Sequence, residues 1–285
     1  MPTATKHEDR LKSDDFTRLG NLIQQHSGIR MPAGKLTMME GRLRRRVRAL
    51  NLPSIQDYCR YLFDHGQLEQ ELPSLIDVIT TNKTDFFREP SHFTHLMGDG
   101  LAHLGKLPHR PGRDRPLKVW SAACSVGAEP YTLAMILQDH ARATRDFRFQ
   151  IYATDICTDV LDKARDAVYP EEMIAPVPPD LARRYFRRSR DRVRPTVRLV
   201  PEIRQSVRFG HLNLMDDGYA MDTDMDVIFC RNILIYFDKE NQGSVIRKLC
   251  GHLRSGGYLF VGHSETLAGL GLPLRQIATS TFIRN

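Results

Sequence analysis

The chain has 285 residues, 41% of them hydrophobic, enough for one large or two unequal domains with a buried core. Its longest apolar runs, such as residues 227–230 and 233–236, fall far short of the roughly 20 residues that cross a bilayer, and the polar residues 1–15 lack the apolar segment of a secretory signal, so a cytoplasmic protein is expected. The net charge of +7 favours acidic partners without choosing among nucleic acid, anionic lipid and acidic protein.

In chain order, roughly the first 80 residues read as helices. Phe16, Leu19, Leu22 and Ile23 share one helical face, with Ser13 or Asp14 as cap and Gly28 as stop. Leu36, Met39, Leu43, Val47 and Leu50 form a second stripe. Within that helix five of the seven residues from 42 to 48 are arginine: Arg42, Arg44, Arg45, Arg46 and Arg48. They are expected to project from the rest of the helix. A solvated charged face is the ordinary reading, but with one nearby acid these side chains repel one another, which favours an acidic partner. Ser54 is a candidate cap for a third helix carrying Tyr58 and Leu62, and Pro73 fits the first turn of a fourth.

Residues 105–116, rich in Gly, Pro and Arg, read as an exposed connection. Beyond them strands alternate with helices. Residues 117–122, 149–155, 207–214, 225–232 and 258–264 are predicted strands. Helices are predicted from about 129 to 140, from Asp159, and over 239–254, the last ending at Gly256-Gly257. Residues 274–284 suggest a closing hairpin. Such alternation implies an α/β fold with a mainly parallel sheet covered on both faces. Residues 168–206 interrupt it, with three prolines in PVPPD (176–180) and then a run of arginines, and are read as a small antiparallel β insertion. The five cysteines, at 59, 124, 157, 230 and 250, form no CxxC pair. Reduced apolar fillers are therefore expected, with neither disulfide nor metal.

In open parallel sheets ligands bind beyond the carboxyl ends of the strands. Three such ends carry suitable chemistry here. Residues 121–134, SAACSVGAEPYTLA, place small residues between strand and helix, where backbone can approach a ligand closely. Gly127 stands alone without a GxGxxG pattern, and Glu129 adds a negative charge that would repel a diphosphate but suits an ammonium. A helix N-terminal acid favoured by the dipole is the alternative for Glu129. Asp155 ends the second strand, where an acid can accept both hydroxyls of a ribose or simply cap a helix. Asn213 and the Leu214 backbone follow the third and could read an adenine edge.

The segments TTNKTDFFRE (80–89), WSAACSVGAEPYTLAM (120–135), ATDI (153–156), RRYF (183–186), NLMD (213–216) and FCRNILIYFDKE (229–240) resemble the CheR family of chemoreceptor glutamate methyltransferases. The resemblance covers nearly the whole chain. It implies a Rossmann-like S-adenosylmethionine-dependent methyltransferase sheet with a small antiparallel β insertion at 168–206, spanning 91–285, preceded by an all-α receptor-recognition domain over 1–90. It implies S-adenosylmethionine as methyl donor and S-adenosylhomocysteine as product. Asn82, Thr84 and Arg88 resemble the segment that folds over this ligand, Glu129 the acid near its methionine portion, and Asp155 the ribose acid. Asn213 and Leu214 match the adenine-side pair, and Arg231 and Asn232 the pair after the fourth strand. The sequence departs from the family at Ala123, where glycine is usual, and the added methyl affects the tightness of that turn.

The implied reaction esterifies glutamates on the cytoplasmic methylation helices of chemoreceptors in sensory adaptation. A glutamate carboxylate is ionised at neutral pH and can attack without a general base, leaving alignment and water exclusion to the enzyme. Tyr236 is expected at the mouth beside the methyl group, and Arg231 is a candidate to orient the incoming carboxylate. The arginine helix then meets the acidic receptor through arginine–carboxylate pairs. Some family members dock a C-terminal receptor pentapeptide on the inserted lobe and have extra glycine in its loop. Residues 189–198 contain none, so tether-independent action is expected, by a monomer. The basic charge also allows a nucleic-acid methyltransferase, but RNILIY replaces the proline-aromatic motif of amino-group methylases, so no nucleic-acid partner is expected. A cofactor-binding adaptor without turnover is the remaining alternative.

Overall fold

The structure, a computed structural model, describes residues 10–285. Residues 1–9, part of the polar stretch weighed against a secretory signal, lie outside the described residues. The chain opens with four helices, α1 (Ser13–Ser27), α2 (Leu36–Ala49), α3 (Ile55–Phe63) and α4 (Leu68–Ile79), and two short ones, α5 (Pro90–His95) and α6 (Leu101–Leu104), follow. The main alternation is β1 (Leu117–Ala122), α7 (Ala128–Ala143), β2 (Phe149–Asp155) and α8 (Thr158–Asp166). The insertion supplies β3 (Val168–Pro170), α9 (Pro179–Tyr185), β4 (Phe186–Arg188), β5 (Thr196–Leu199) and α10 (Pro201–Gln205). The chain closes with β6 (Val207–His211), β7 (Met225–Cys230), α11 (Lys239–His252), β8 (Leu253–Val261), β9 (Leu274–Ala278) and β10 (Thr281–Arg284).

The large sheet runs β6-β2-β1-β7-β8-β10-β9. Its first five strands are parallel, and the β9–β10 hairpin adds antiparallel to β8. Alternation along each strand divides the core in two. In β1, Leu117 and Val119 face one core while Trp120 and Ala122 face the other. The Trp120 face shares one apolar core with α11 and with α1–α4, so the helical region is continuous with the sheet's packing. The insertion forms its own antiparallel sheet, β3-β5-β4, as expected. Phe86, fully buried, packs its ring edge-on against Tyr169 at 5.1 Å and Phe186 at 5.5 Å, so it is core rather than a ligand contact.

Several boundaries differ from the sequence expectation. Lys12, not Ser13 or Asp14, occupies the cap of α1 and makes no side-chain bond; Asp14 and Asp15 in the first turn favour the helix through its dipole. Gly28 stops α1 at φ 72°, as expected. Ser54 does cap α3, its hydroxyl accepting the Asp57 N–H at 3.2 Å. Pro73 lies inside α4, because the helix begins at Leu68. Buried Glu71 anchors that earlier turn, bound by Arg46 and Tyr58; the proline only deprives the Glu69 carbonyl of a partner. Helix α11 ends at His252, and Gly256 and Gly257 lie inside β8. A Cβ at Gly257 would stand 2.9 Å from the Asp226 carbonyl, so the glycine permits close strand approach. The 105–116 connection is partly buried: Pro111 and Gly112 are covered, and Arg115 bonds Asp226, whose side chain is fully buried.

All five cysteines are free and buried. No helix among the described residues is long and apolar enough to cross a membrane.

Candidate active site

One cleft joins the carboxyl ends of the parallel strands to the helical region. Ala123, Asp155 and Asn232 line it from the sheet side, and Ser27, Met31 and Lys35 from the helical side. The turn after β1 is tight. Ala123 and Ser125 hold φ of 62° and 52°, and Gly127 reaches 89° at the start of α7. Left-handed backbone costs a non-glycine residue roughly 1–2 kcal/mol, and Phe87, Glu89 and Asn232, in or beside the cleft, share it. Such strain concentrates where surroundings dictate the backbone.

Asp155, at the tip of β2, is buried and held by two amides. Its Oδ2 accepts the Ser125 N–H at 2.8 Å and its Oδ1 the Cys157 N–H at 2.9 Å. Burial pushes its carboxyl up from the usual range, against the pull of these amides. Each oxygen keeps a second acceptor site, so the carboxylate can still receive a pair of hydroxyls.

Arg231 is the hub of the site. Its side chain is only 3% exposed, and its guanidinium lies over the Phe93 ring at 5.5 Å. Nη1 donates to Glu129 at 3.0 Å, while Nη2 donates to Glu89 at 2.9 Å and to the Arg88 carbonyl; Nε reaches Glu89 at 3.3 Å. Glu129, from the first turn of α7, also accepts the Ser121 hydroxyl at 2.7 Å. Burial pushes the Glu129 carboxyl up, and the Arg231 charge opposes this. Burial likewise works against ionised Glu89, but the bonds and charge of Arg231 outweigh it and hold that carboxyl down at about 2. Arg231 therefore orders two acids and has no open fork for an incoming carboxylate.

The other expected residues are near one another but differ in availability. Asn82 donates to Thr80 at 3.0 Å, its carbonyl accepts the Ser125 hydroxyl at 2.9 Å, and so it pins the 82–88 segment to the β1 turn. Thr84 and Arg88 line the cleft; Arg88 bonds the Lys83 carbonyl at 3.2 Å rather than Glu89 or Asp85. Both ends of the Asn213 amide are used, toward the His26 carbonyl at 2.6 Å and the Met215 N–H at 3.0 Å. Its side chain thus docks α1; the Leu214 carbonyl accepts the Tyr219 hydroxyl at 2.8 Å and the Lys248 ammonium at 2.9 Å, which leaves the Leu214 N–H to meet a ligand. Asn232 lines the cleft and donates to Glu89 at 3.2 Å. Tyr236 lines the same cleft, its carbonyl accepting the Arg30 N–H at 3.1 Å.

The arginines of α2 do not all project outward. Arg46 forms a two-point pair with Glu71 at 2.6 and 2.9 Å. Arg42 donates to the Ile79 and Thr80 carbonyls and to the Thr81 hydroxyl at 2.9 Å. These two join α2 to the end of α4, because their positions on the helix turn toward α4. Arg45 and Arg48 are exposed and Arg44 partly so.

Two functional acids went unassigned in the sequence. Glu89 stands inside a quoted motif, yet its partner Arg231 is 142 residues away. Glu265 accepts the N–H groups of Asn232 at 3.0 Å, Leu234 at 2.7 Å and Gly262 at 2.6 Å, fixing the turn that carries Tyr236. No local pattern marks such a long-range contact. Glu89 also gathers with His92 and His263 within 4.8 Å. The adjacent Arg231 cation already neutralises this carboxylate, so the cluster reads as an ion-pair network.

The cleft fits a cationic nucleoside better than a dinucleotide. Its acid at the β2 tip suits a ribose, its second acid lies where a diphosphate would be repelled, and its β1 turn lacks the glycine set that a pyrophosphate needs. A parallel sheet bearing this cleft and closed by an antiparallel hairpin defines an α/β methyltransferase of the S-adenosylmethionine-dependent class. The chain belongs to the CheR methyltransferase family: residues 14–80 match its all-alpha domain and residues 82–283 its SAM binding domain. The chain is 36% identical to chemotaxis protein methyltransferase 2 of Pseudomonas aeruginosa, over 99% of each protein. It is 38% identical to the chemotaxis protein methyltransferase of Escherichia coli, over 92% of this chain and 88% of the relative. With its counterpart from Borreliella burgdorferi it shares 33% identity over 96% and 95%.

Proposed function

We propose that this protein transfers the methyl group of S-adenosylmethionine to glutamate side chains on the cytoplasmic methylation helices of chemoreceptors, in sensory adaptation. The products are glutamate methyl esters and S-adenosylhomocysteine. The supporting observation is that one cleft is lined both by sheet-tip residues suited to the methyl donor and by the helical region whose α2 bears exposed arginines. A substrate approaching the donor therefore passes the basic helix.

Bound S-adenosylmethionine supplies a methyl group on a positively charged sulfur. Asp155 receives the ribose hydroxyls, Glu129 the ammonium, and the Leu214 backbone the adenine edge. Asn82, Thr84 and Arg88 cover the ligand and exclude water. Arg231 acts as a positioning residue, holding Glu89 and Glu129 in place through the bonds described, and Asn232 completes that network. Tyr236 borders the reacting position. Because the substrate carboxylate is already ionised at neutral pH, alignment and dehydration of the nucleophile carry the catalysis. Residues 1–90 serve as receptor-recognition domain and 91–285 as methyltransferase domain. Arg44, Arg45 and Arg48 meet receptor acids, while Arg42 and Arg46 stabilise the helix that presents them. The glycine-free stretch at 189–198 favours action without a pentapeptide tether, by a cytoplasmic monomer that does not use nucleic acid.

The test is incubation with methyl-labelled donor and receptor-bearing membranes, followed by mild alkali. A glutamate ester releases its label as volatile methanol. Label that survives alkali, or no incorporation, would overturn the proposal.

A further inference from the structure

With Arg231 committed to Glu89, Glu129 and the Arg88 carbonyl, the substrate carboxylate needs a different cation. Lys35 lies on the wall of the same cleft. It ends a short helical turn, Ala33–Lys35, immediately before α2, and its N–H is held by the Pro32 carbonyl at 2.8 Å. Its ammonium stands 5.3 Å from the centre of the Tyr236 ring, within cation–π range. The two backbones are tied together as well, since Arg30 donates to the Tyr236 carbonyl at 3.1 Å. Among the described residues no carboxylate pairs with Lys35.

 

We infer that Lys35 receives the substrate glutamate carboxylate at the mouth of the cleft, with the Tyr236 ring as its platform. This rests on the methyltransferase reading above. The carboxylate oxygen bonds to the methyl carbon as the carbon–sulfur bond breaks, its electron pair stays on sulfur, and no proton moves. The carboxylate thus starts with a full negative charge and ends as a neutral ester. Its contact with Lys35 holds from substrate binding into the transition state, while charge remains on the oxygen, and is lost only in the ester, so it serves binding rather than the chemical step. The same loss of charge releases the esterified side chain and disfavours glutamine, which carries no charge for Lys35 to meet.

The experiment compares Lys35→Met and Lys35→Arg with the unaltered protein, using receptor membranes for kinetics and calorimetry with S-adenosylhomocysteine as an independent readout. Lys35→Met should raise the receptor KM about tenfold or more while kcat stays within about twofold. Its affinity for S-adenosylhomocysteine should be unchanged, and Lys35→Arg should restore most of the KM. An unchanged KM, a fall in kcat alone, lost S-adenosylhomocysteine binding, or no rescue by arginine would each overturn the inference. If the unaltered protein forms no alkali-labile ester, the methyltransferase reading itself fails; if it does and Lys35→Met behaves normally, only the role of Lys35 falls.

Discussion

At the scale of single residues, burial decides what each charge can do. Arg231 sits between Glu89 and Glu129, and removing it leaves two nearly buried carboxylates unanswered. Breaking a buried pair from one side costs about 3–5 kcal/mol, so Arg231→Met should lower unfolding free energy by that order in denaturant titration. Asp155 presents a different case, because its loss removes ligand contacts. Asp155→Ala should weaken S-adenosylhomocysteine binding by roughly 1–3 kcal/mol in calorimetry, and unchanged affinity would contradict the ribose assignment. His92 is buried beside Arg231, and burial first, then that charge, lowers its pKa to about 4 from 6.5. Its folded pKa lies below its unfolded one, so its contribution is present at neutral pH and is lost as pH falls from about 6.5 to about 4. Melts of wild type and His92→Phe at pH values across that window should show a shallower decline in the variant.

At the scale of elements, α2 carries two kinds of arginine that the sequence cannot separate. Helical spacing identified its apolar stripe, Met39, Leu43 and Val47, and all three are buried. It could not show that Arg46 would reach Glu71 or that Arg42 would reach the end of α4, since those partners depend on how the helices pack. The distinction is testable. Arg46→Ala should destabilise the fold by about 2–3 kcal/mol. Arg45→Glu with Arg48→Glu should leave stability and S-adenosylhomocysteine binding intact while sharply reducing receptor methylation. Retained methylation in that double variant would remove α2 from the docking surface. Strand positions were legible for a related reason: the short, nearly continuous apolar runs of β1 and β7 mark strands covered on both faces of a sheet. The start of β8 was not, because its glycines mimic a helix stop when their close approach to β7 is unseen.

At the scale of the whole molecule, the site exists because the helical region closes one end of a cleft that begins at the sheet tips. The strand-tip residues Glu129, Asp155 and Asn232 were recognisable from order and local pattern, and they do line one cleft. The network that orders them was not recognisable, since Glu89 and Glu265 act across the fold on residues far away in sequence. The central claim is that this cleft delivers a methyl group to a glutamate carboxylate. Fragment mass spectrometry of receptor helices after incubation with methyl donor tests it most directly. The account predicts one added methyl on glutamate side chains, removed by mild alkali and diminished with Asp155→Ala. Methyl groups on lysine, arginine or nucleic acid, with glutamates unmodified, would contradict it.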